Sequence, residues 1–258
     1  MITTFFLFWS SFFSNKIPTK QSINTPIKTS EQNKIISNTK NVVLLELFTS
    51  EGCSSCPAAD ETLLDLAKQP NVFVLGYHVT YWNQLGWADA YSKKSFDERQ
   101  YQYGEKFKNE GVYTPEVIIN GIDATVGSRK TYIQEKINSE QTKQAAATIS
   151  IQQKLLNGND LIVNWSTVGN TKNNELKIAL VESDIETIVK RGENKGRTLR
   201  HINVVRDIIT QNISTSGATG ETKLVLQKDW NVSHLKLIAF TQEISLGKIT
   251  GATSVNLQ

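Results

Sequence analysis

Cys53 and Cys56 stand three positions apart in FTSEGCSSCPAAD and are the only thiols in a chain of 258 residues. That spacing admits three chemistries: a redox couple, half of a metal site, or a short structural staple. A staple would be weak, because closing so short a loop stabilises by roughly 2 kcal/mol in the chain-entropy picture, against ~4 to 5 for a long one. A metal site needs two further ligands, and His78, His201 and His234 show no paired spacing. The redox reading draws on context. The apolar run NVVLLELF (41–48) precedes the pair, and PAADETLLDLAKQ, apolar at helical spacing, follows it. Cys53 therefore falls at or just before a helix N-terminus, with Pro57 in the first turn, where its missing N–H costs nothing. Such a terminus carries about half a positive charge and unpaired N–H groups, and both favour a thiolate. Cys53 is the expected nucleophile and Cys56 the resolving thiol, with Asp60 and Glu61 mildly opposing the thiolate.

Other residues could support that chemistry. The Thr114-Pro115 step opens an expected strand. If cis, it would leave the flanking backbone free to pair with an extended peptide; a trans proline on an edge strand is the alternative. Glu46 interrupts a buried run, so it is paired, wet or protonated, for instance as one half of a salt bridge. His78 ends the second expected strand, where it could steady a thiolate or simply pack. Tyr81 and Trp82, with Trp87 just beyond, read as a substrate groove or as core. The basic, glycine-bearing loop KRGENKGRTLRH (190–201) could bind an anion, meet an acidic partner, or dock two parts of the chain together.

These residues need elements to hold them. NVVLLELF, the helix after Cys56 and NVFVLGYHV (71–79) make a strand–helix–strand unit. The segment from Trp82 to about Glu110 reads as helical. VYTPEVIING (112–121) gives a third strand closed by an Asn-Gly turn, and a short strand and a helix follow. After about residue 144 the texture changes to short, often alternating strand candidates, which suggests an antiparallel sandwich of its own. The apolar start, Ile2 to Phe13, is too short to span a bilayer and fits an export signal over residues 1–17, with a polar linker over 18–40. A net charge of +3 and dispersed basic residues argue against a nucleic-acid binder, and no membrane span is expected in the mature chain.

Residues 41–140 resemble the thioredoxin-like superfamily. ELFTSEGCSSCPAAD, YHVTYWNQLGW, VYTPEVIING and RGENKGRTLRHINVVR further resemble an exported bacterial thioredoxin-like family of uncharacterised function. The resemblance implies a nucleophilic role for Cys53, a resolving role for Cys56, a cis proline at Pro115, and a buried acid relaying protons to the resolving thiol, for which Glu46 is the candidate. It departs at Gly52, where no aromatic precedes the pair, at Ser54-Ser55 between the cysteines, and at Thr80 and Asn83, where acids are usual. The fold class expected is an α/β thioredoxin-like domain (41–144) followed by a mainly antiparallel β-sandwich-like domain (145–258). The function expected is thiol–disulfide exchange on periplasmic or secreted protein thiols or disulfides, with a redox partner protein and no cofactor or metal. The rivals are a non-catalytic binding protein with a resting disulfide, and a metallochaperone using Cys53, Cys56 and His78.

Overall fold

In the computed structural model, which describes residues 41–156, 159–213 and 215–257 together with Met1, the first apolar run forms β1 (Val43–Thr49). Every residue of β1 is buried because both faces are covered. Val43, Leu45 and Leu47 pack on Ala59, Leu63 and Leu66 of α1 (Cys56–Leu66) and on Ile133 and Ile137 of α3 (Lys130–Gln141). Leu44 and Phe48 face the other way, onto Phe96 and Tyr103 of α2 (Lys94–Phe107). Strand β2 (Val72–His78) runs parallel to β1. On the other side β1 pairs antiparallel with β3 (Glu116–Ile119), and β3 with β4 (Asp123–Val126). The β3–β4 turn is Asn120-Gly121, both at positive φ (48° and 67°), as a tight hairpin requires. The expected signal peptide (1–17) and linker (18–40) lie, but for Met1, outside the described residues.

The expected fold class is overturned here. Strand residues far outnumber helical ones, and one mixed sheet of eight strands crosses the anticipated domain boundary. It takes β7 (Asn174–Glu182), β10 (Val204–Ile213), β12 (Leu235–Glu243) and β13 (Ile249–Asn256) from the second half of the chain. Their order is β13-β12-β7-β10-β2-β1-β3-β4. The chain is therefore not an α/β thioredoxin-like domain followed by a separate sandwich. A single apolar cluster joins Leu44, Phe48 and Tyr77 to Ala179, Val205 and Phe240, so the core is continuous as well. A second sheet, ordered β11 (Thr219–Val225), β6 (Asp160–Gly169) and β5 (Ala147–Leu156), buries Leu161, Val163 and Trp165 against Ile178, Leu180 and Leu237. A small ribbon, β8 (Ile185–Ile188) with β9 (Thr198–His201), stands apart from both.

The seam is narrow. β10 meets β2 in parallel at a single pair, Val204 with Gly76. The Gly76 N–H donates to Asn203 O at 3.0 Å, and Asn203 Nδ2 donates to Val74 O at 2.9 Å. A Cβ on Gly76 would lie 2.6 Å from Ile202 O, a backbone atom that cannot swing away. Gly76→Ala is expected to cost about 1–3 kcal/mol, the usual range for overpacking. Denaturant unfolding checks it, and an unchanged midpoint would show that the seam is soft.

The helix expected from Trp82 starts later, at Lys94. A 3-10 turn (Asn83–Leu85) gives way to Gly86 at φ 100°, and Asn83 then staples the loop. Asn83 Oδ1 accepts the Asp89 N–H at 3.0 Å, and Asn83 Nδ2 donates to Ser92 Oγ at 2.9 Å. Local side-chain bonds of this kind compete with a helix and here they win.

Candidate functional site

Cys53 and Cys56 form a disulfide where the chain leaves β1 and enters α1. The turn closes through Cys53 N–H to Ser50 O and Cys56 N–H to Cys53 O, and Pro57 occupies the first helical turn. Each cysteine is only 1% exposed, while Ser54 and Ser55 between them are open to solvent.

Pro115 is buried behind a cis Thr114-Pro115 bond. Gly127 fits between Pro115 and Ala59, since a Cβ there would lie 2.7 Å from Ala59 Cβ and 3.3 Å from Pro115 Cβ. Trp82 links this loop to the cysteine turn. Its Nε1 donates to Thr114 Oγ1 at 2.8 Å, and its Cβ sits where a Gly52 side chain would need to be, at 3.1 Å. The glycine before the cysteines thus makes room for an aromatic delivered from elsewhere. Tyr81 turns toward α2 instead, its OH donating to Gln100 Oε1 at 3.3 Å.

Thr80 binds Asp97 through its N–H (2.7 Å) and its hydroxyl. Glu46 lies on the α2 face, opposite α1, with both oxygens taken. Arg99 Nε donates to Oε2 at 2.7 Å and Tyr103 OH to Oε1 at 2.5 Å. It is one half of a buried salt bridge, the pairing its residue type and burial called for, beside the relay that the resemblance implies.

The side chains gathered behind the disulfide are mostly others. Glu51 and Asp60 flank the cysteines and are buried, as are His78, Asp89 and His201. His78 Nδ1 lies 2.7 Å from Asp89 Oδ2, and that oxygen also accepts the Glu51 N–H at 2.9 Å. Glu51 Oε2 accepts Trp87 Nε1 at 2.7 Å, and Asp60 Oδ2 accepts the Thr49 hydroxyl at 3.1 Å. His201, at the end of β9, brings Nε2 to 3.3 Å from Glu51 Oε1 and Nδ1 to 3.9 Å from Asp60 Oδ1. These two contacts are ion pairs without hydrogen-bond geometry. The two imidazoles meet edge to face at 4.8 Å, and Tyr91 closes on both.

Burial pulls the His201 pKa down, but Asp60 and Glu51 outweigh it and hold the ring at about 9. Burial pushes the Asp89 carboxyl up, but His78 and the N–H groups of Glu51 and Tyr91 hold it below the ordinary carboxylate range.

The basic loop docks on the cysteine turn, through residues other than its cations. Buried Asn194 donates from Nδ2 to Glu51 O and to Cys53 O, both at 2.9 Å, and Arg197 Nη1 secures its Oδ1 at 2.8 Å. The Ser54 N–H donates to Glu193 Oε2 at 3.0 Å.

Sequence reasoning did not single out Glu51, Asp89, Asn194 or His201 as site residues. The one local signal was the pair of acids, Glu51 and Asp60, bracketing the cysteines. Among the described residues no set of three or more His, Cys, Asp or Glu is arranged to hold a metal, and no helix is long and apolar enough to cross a membrane.

Residues 44–242 match the model of a protein family of unknown function, DUF1223. An Agrobacterium tumefaciens protein solved by X-ray crystallography is similar at 27% identity and a TM-score of 0.63, over 84% of this chain and 95% of that one. A domain of the outer membrane lipoprotein Omp28 from Porphyromonas gingivalis is far more distant, at 7% identity and a TM-score of 0.31 over 44% of this chain and 89% of that one. No curated protein matches.

Proposed function

We propose that this chain, which belongs to the DUF1223 family of proteins of unknown function, carries out thiol–disulfide exchange through Cys53 and Cys56 on proteins outside the cytoplasm. The observation that carries the reading is the disulfide at the head of α1, with the Trp82-tethered Thr114-Pro115 loop beside it. When the pair is reduced, the helix N-terminus favours a thiolate on Cys53. That thiolate attacks a substrate disulfide, one substrate thiolate leaves, and Cys56 then displaces the other and restores the Cys53–Cys56 bond. Run backwards, the same steps oxidise a substrate dithiol. The apolar segment 2–13 supports export, and an oxidising compartment suits the disulfide. The substrates are extracytoplasmic protein thiols or disulfides, with a redox partner protein to reset the pair.

One observation favours a second reading, a binding protein whose disulfide is a resting clasp. Both cysteines are 1% exposed, and Asn194 and Glu193 hold the turn from outside. A trapping experiment separates the two. Cys56→Ala in the mature protein is expected to hold a mixed disulfide with oxidised glutathione on Cys53, and the reduced wild type to show a Cys53 thiolate with a pKa below the ordinary ~8.5. No adduct together with slow alkylation across pH would leave the clasp.

A further inference from the structure

We infer that His201, supplied by β9 from the second half of the chain, is a positioning residue for the Cys53–Cys56 couple, holding Glu51 and Asp60 so that the protons moved in exchange pass through this buried group. The inference rests on the exchange reading above and deepens it.

Proton traffic must occur here without solvent. Cys56 is buried, and for it to displace the second substrate sulfur its thiol must first lose a proton. Asp60 follows Cys56 by one helical turn and is also buried, so the two share a face of α1. Asp60 Oδ1, Glu51 Oε1, both nitrogens of His201 and His78 Nε2 have no hydrogen-bond partner. Five unpartnered buried polar atoms in one contiguous group are costly in a static core, and they are the free sites a transferable proton needs.

The charges make the group responsive. Three carboxylates (Glu51 of the cysteine turn, Asp60 of α1, Asp89 of the loop before α2) meet two imidazoles (His78 of β2, His201 of β9). Tyr91 lies against both rings, with Arg206 of β10 at 5.0 Å over the Tyr91 ring and ion-paired to Glu182 of β7. Even with both rings protonated, three ionised carboxylates leave one negative charge uncompensated. A thiolate in the reduced pair adds another, so reduction strengthens the hold on the His201 proton, and re-forming the disulfide weakens it.

The steps balance. Cys53 thiolate attacks the substrate disulfide, and the first substrate sulfur leaves as thiolate. The Cys56 proton passes to the Asp60–His201 pair. Cys56 thiolate then attacks the Cys53 sulfur, the Cys53–Cys56 bond forms, and the second substrate sulfur leaves with the electron pair of its broken bond. The stored proton returns to a departing thiolate. Two electrons have gone from the cysteine pair to the substrate, and no other oxidant or reductant is needed.

The test starts with wild-type protein, so that it does not depend on a variant folding. The His201 ring protons are followed by NMR from pH 5 to 10.5, first with the disulfide intact and then after reduction by a phosphine. The midpoint is expected to rise by about one pH unit on reduction, a tenfold change in proton affinity, since redox state and proton binding are linked. The glutathione exchange constant is then measured from pH 6 to 10 in wild type and in H201Q. Free glutathione titrates in the same range and bends every plot alike, so the difference between the wild-type and H201Q logarithmic plots is what is read. It is expected to change slope near pH 9, and D60N to shift that break to lower pH. Identical His201 midpoints in the two redox states overturn the inference, as does an H201Q plot that superimposes on wild type. A pair that the phosphine reduces but glutathione does not sinks the exchange reading by itself, and the NMR midpoints still decide the linkage.

Discussion

Replacing Arg99 with alanine is expected to cost about 3–5 kcal/mol of stability, the range for stripping one partner from a buried ion pair. The size follows from what remains. Glu46 is 1% exposed on β1, and Arg99 Nε is its cationic partner at 2.7 Å. Without the guanidinium the carboxylate keeps only the Tyr103 hydroxyl, and an ionised group with one neutral donor is poorly compensated in a core. Arg99 Nη2 also donates to Gln242 Oε1 at 3.1 Å, and Gln242 Nε2 donates to Tyr103 OH at 2.9 Å. The loss therefore reaches β12 and loosens the contact between the two halves of the chain. Against a total of about 5–15 kcal/mol this is a large fraction. Guanidinium unfolding measures it, with Glu46→Leu/Arg99→Met as the control. Removing both charges leaves no orphan, so the double variant is expected to recover most of the loss. A single variant within about 1 kcal/mol of wild type would mean that Glu46 is reached by water once the arginine is gone.

How much of this could be read from the chain depends on the range of each interaction. β1, α1, β2 and the Asn120-Gly121 hairpin carry local signals: unbroken apolar runs, helical spacing, a turn dipeptide. The joining of the halves carries almost none, because β10 reaches β2 at one residue pair and its own sequence reads like any short strand. The drop into alternating strands after residue 144 is real, but only β5, β6 and β11 form a sheet packed on one face, while β7, β10, β12 and β13 join the sheet of the first half. One clue was present in the glycine inside NVFVLGYHV, since a glycine in a buried strand often marks another backbone passing close by. At Gly76 that backbone is Ile202–Asn203. The site divides in the same way. The cysteine pair and its helix are contiguous in sequence. Nothing near Glu51 or Asp60 announces that their cation is His201, because the ring arrives from β9 only when β10 docks.

That histidine also fixes how stability depends on pH. Its folded pKa is held at about 9, above the ordinary 6.5, so between these values the folded chain binds a proton that the unfolded chain has released. The stabilisation is fully present below about 6.5 and is lost as pH rises through about 9. Its full size is about 3 kcal/mol. Asp89 acts at the other end. Its carboxyl is held below the ordinary 3.8, so its contribution is present above that value and fades as pH falls. Oxidised wild type is thus expected to be most stable between about pH 4 and 6.5 with respect to these two groups, and to lose about 3 kcal/mol by pH 9.5. In His201→Gln the starting stability is lower, because Glu51 and Asp60 lose their counter-charge, and the slope between pH 6.5 and 9.5 disappears. Denaturant unfolding at half-unit steps of pH, with the disulfide kept intact so that no thiol titrates, reads both curves. Parallel curves for the two proteins would mean that the imidazole is uncharged in the fold, and Glu51 and Asp60 beside it would then need a different counter-charge.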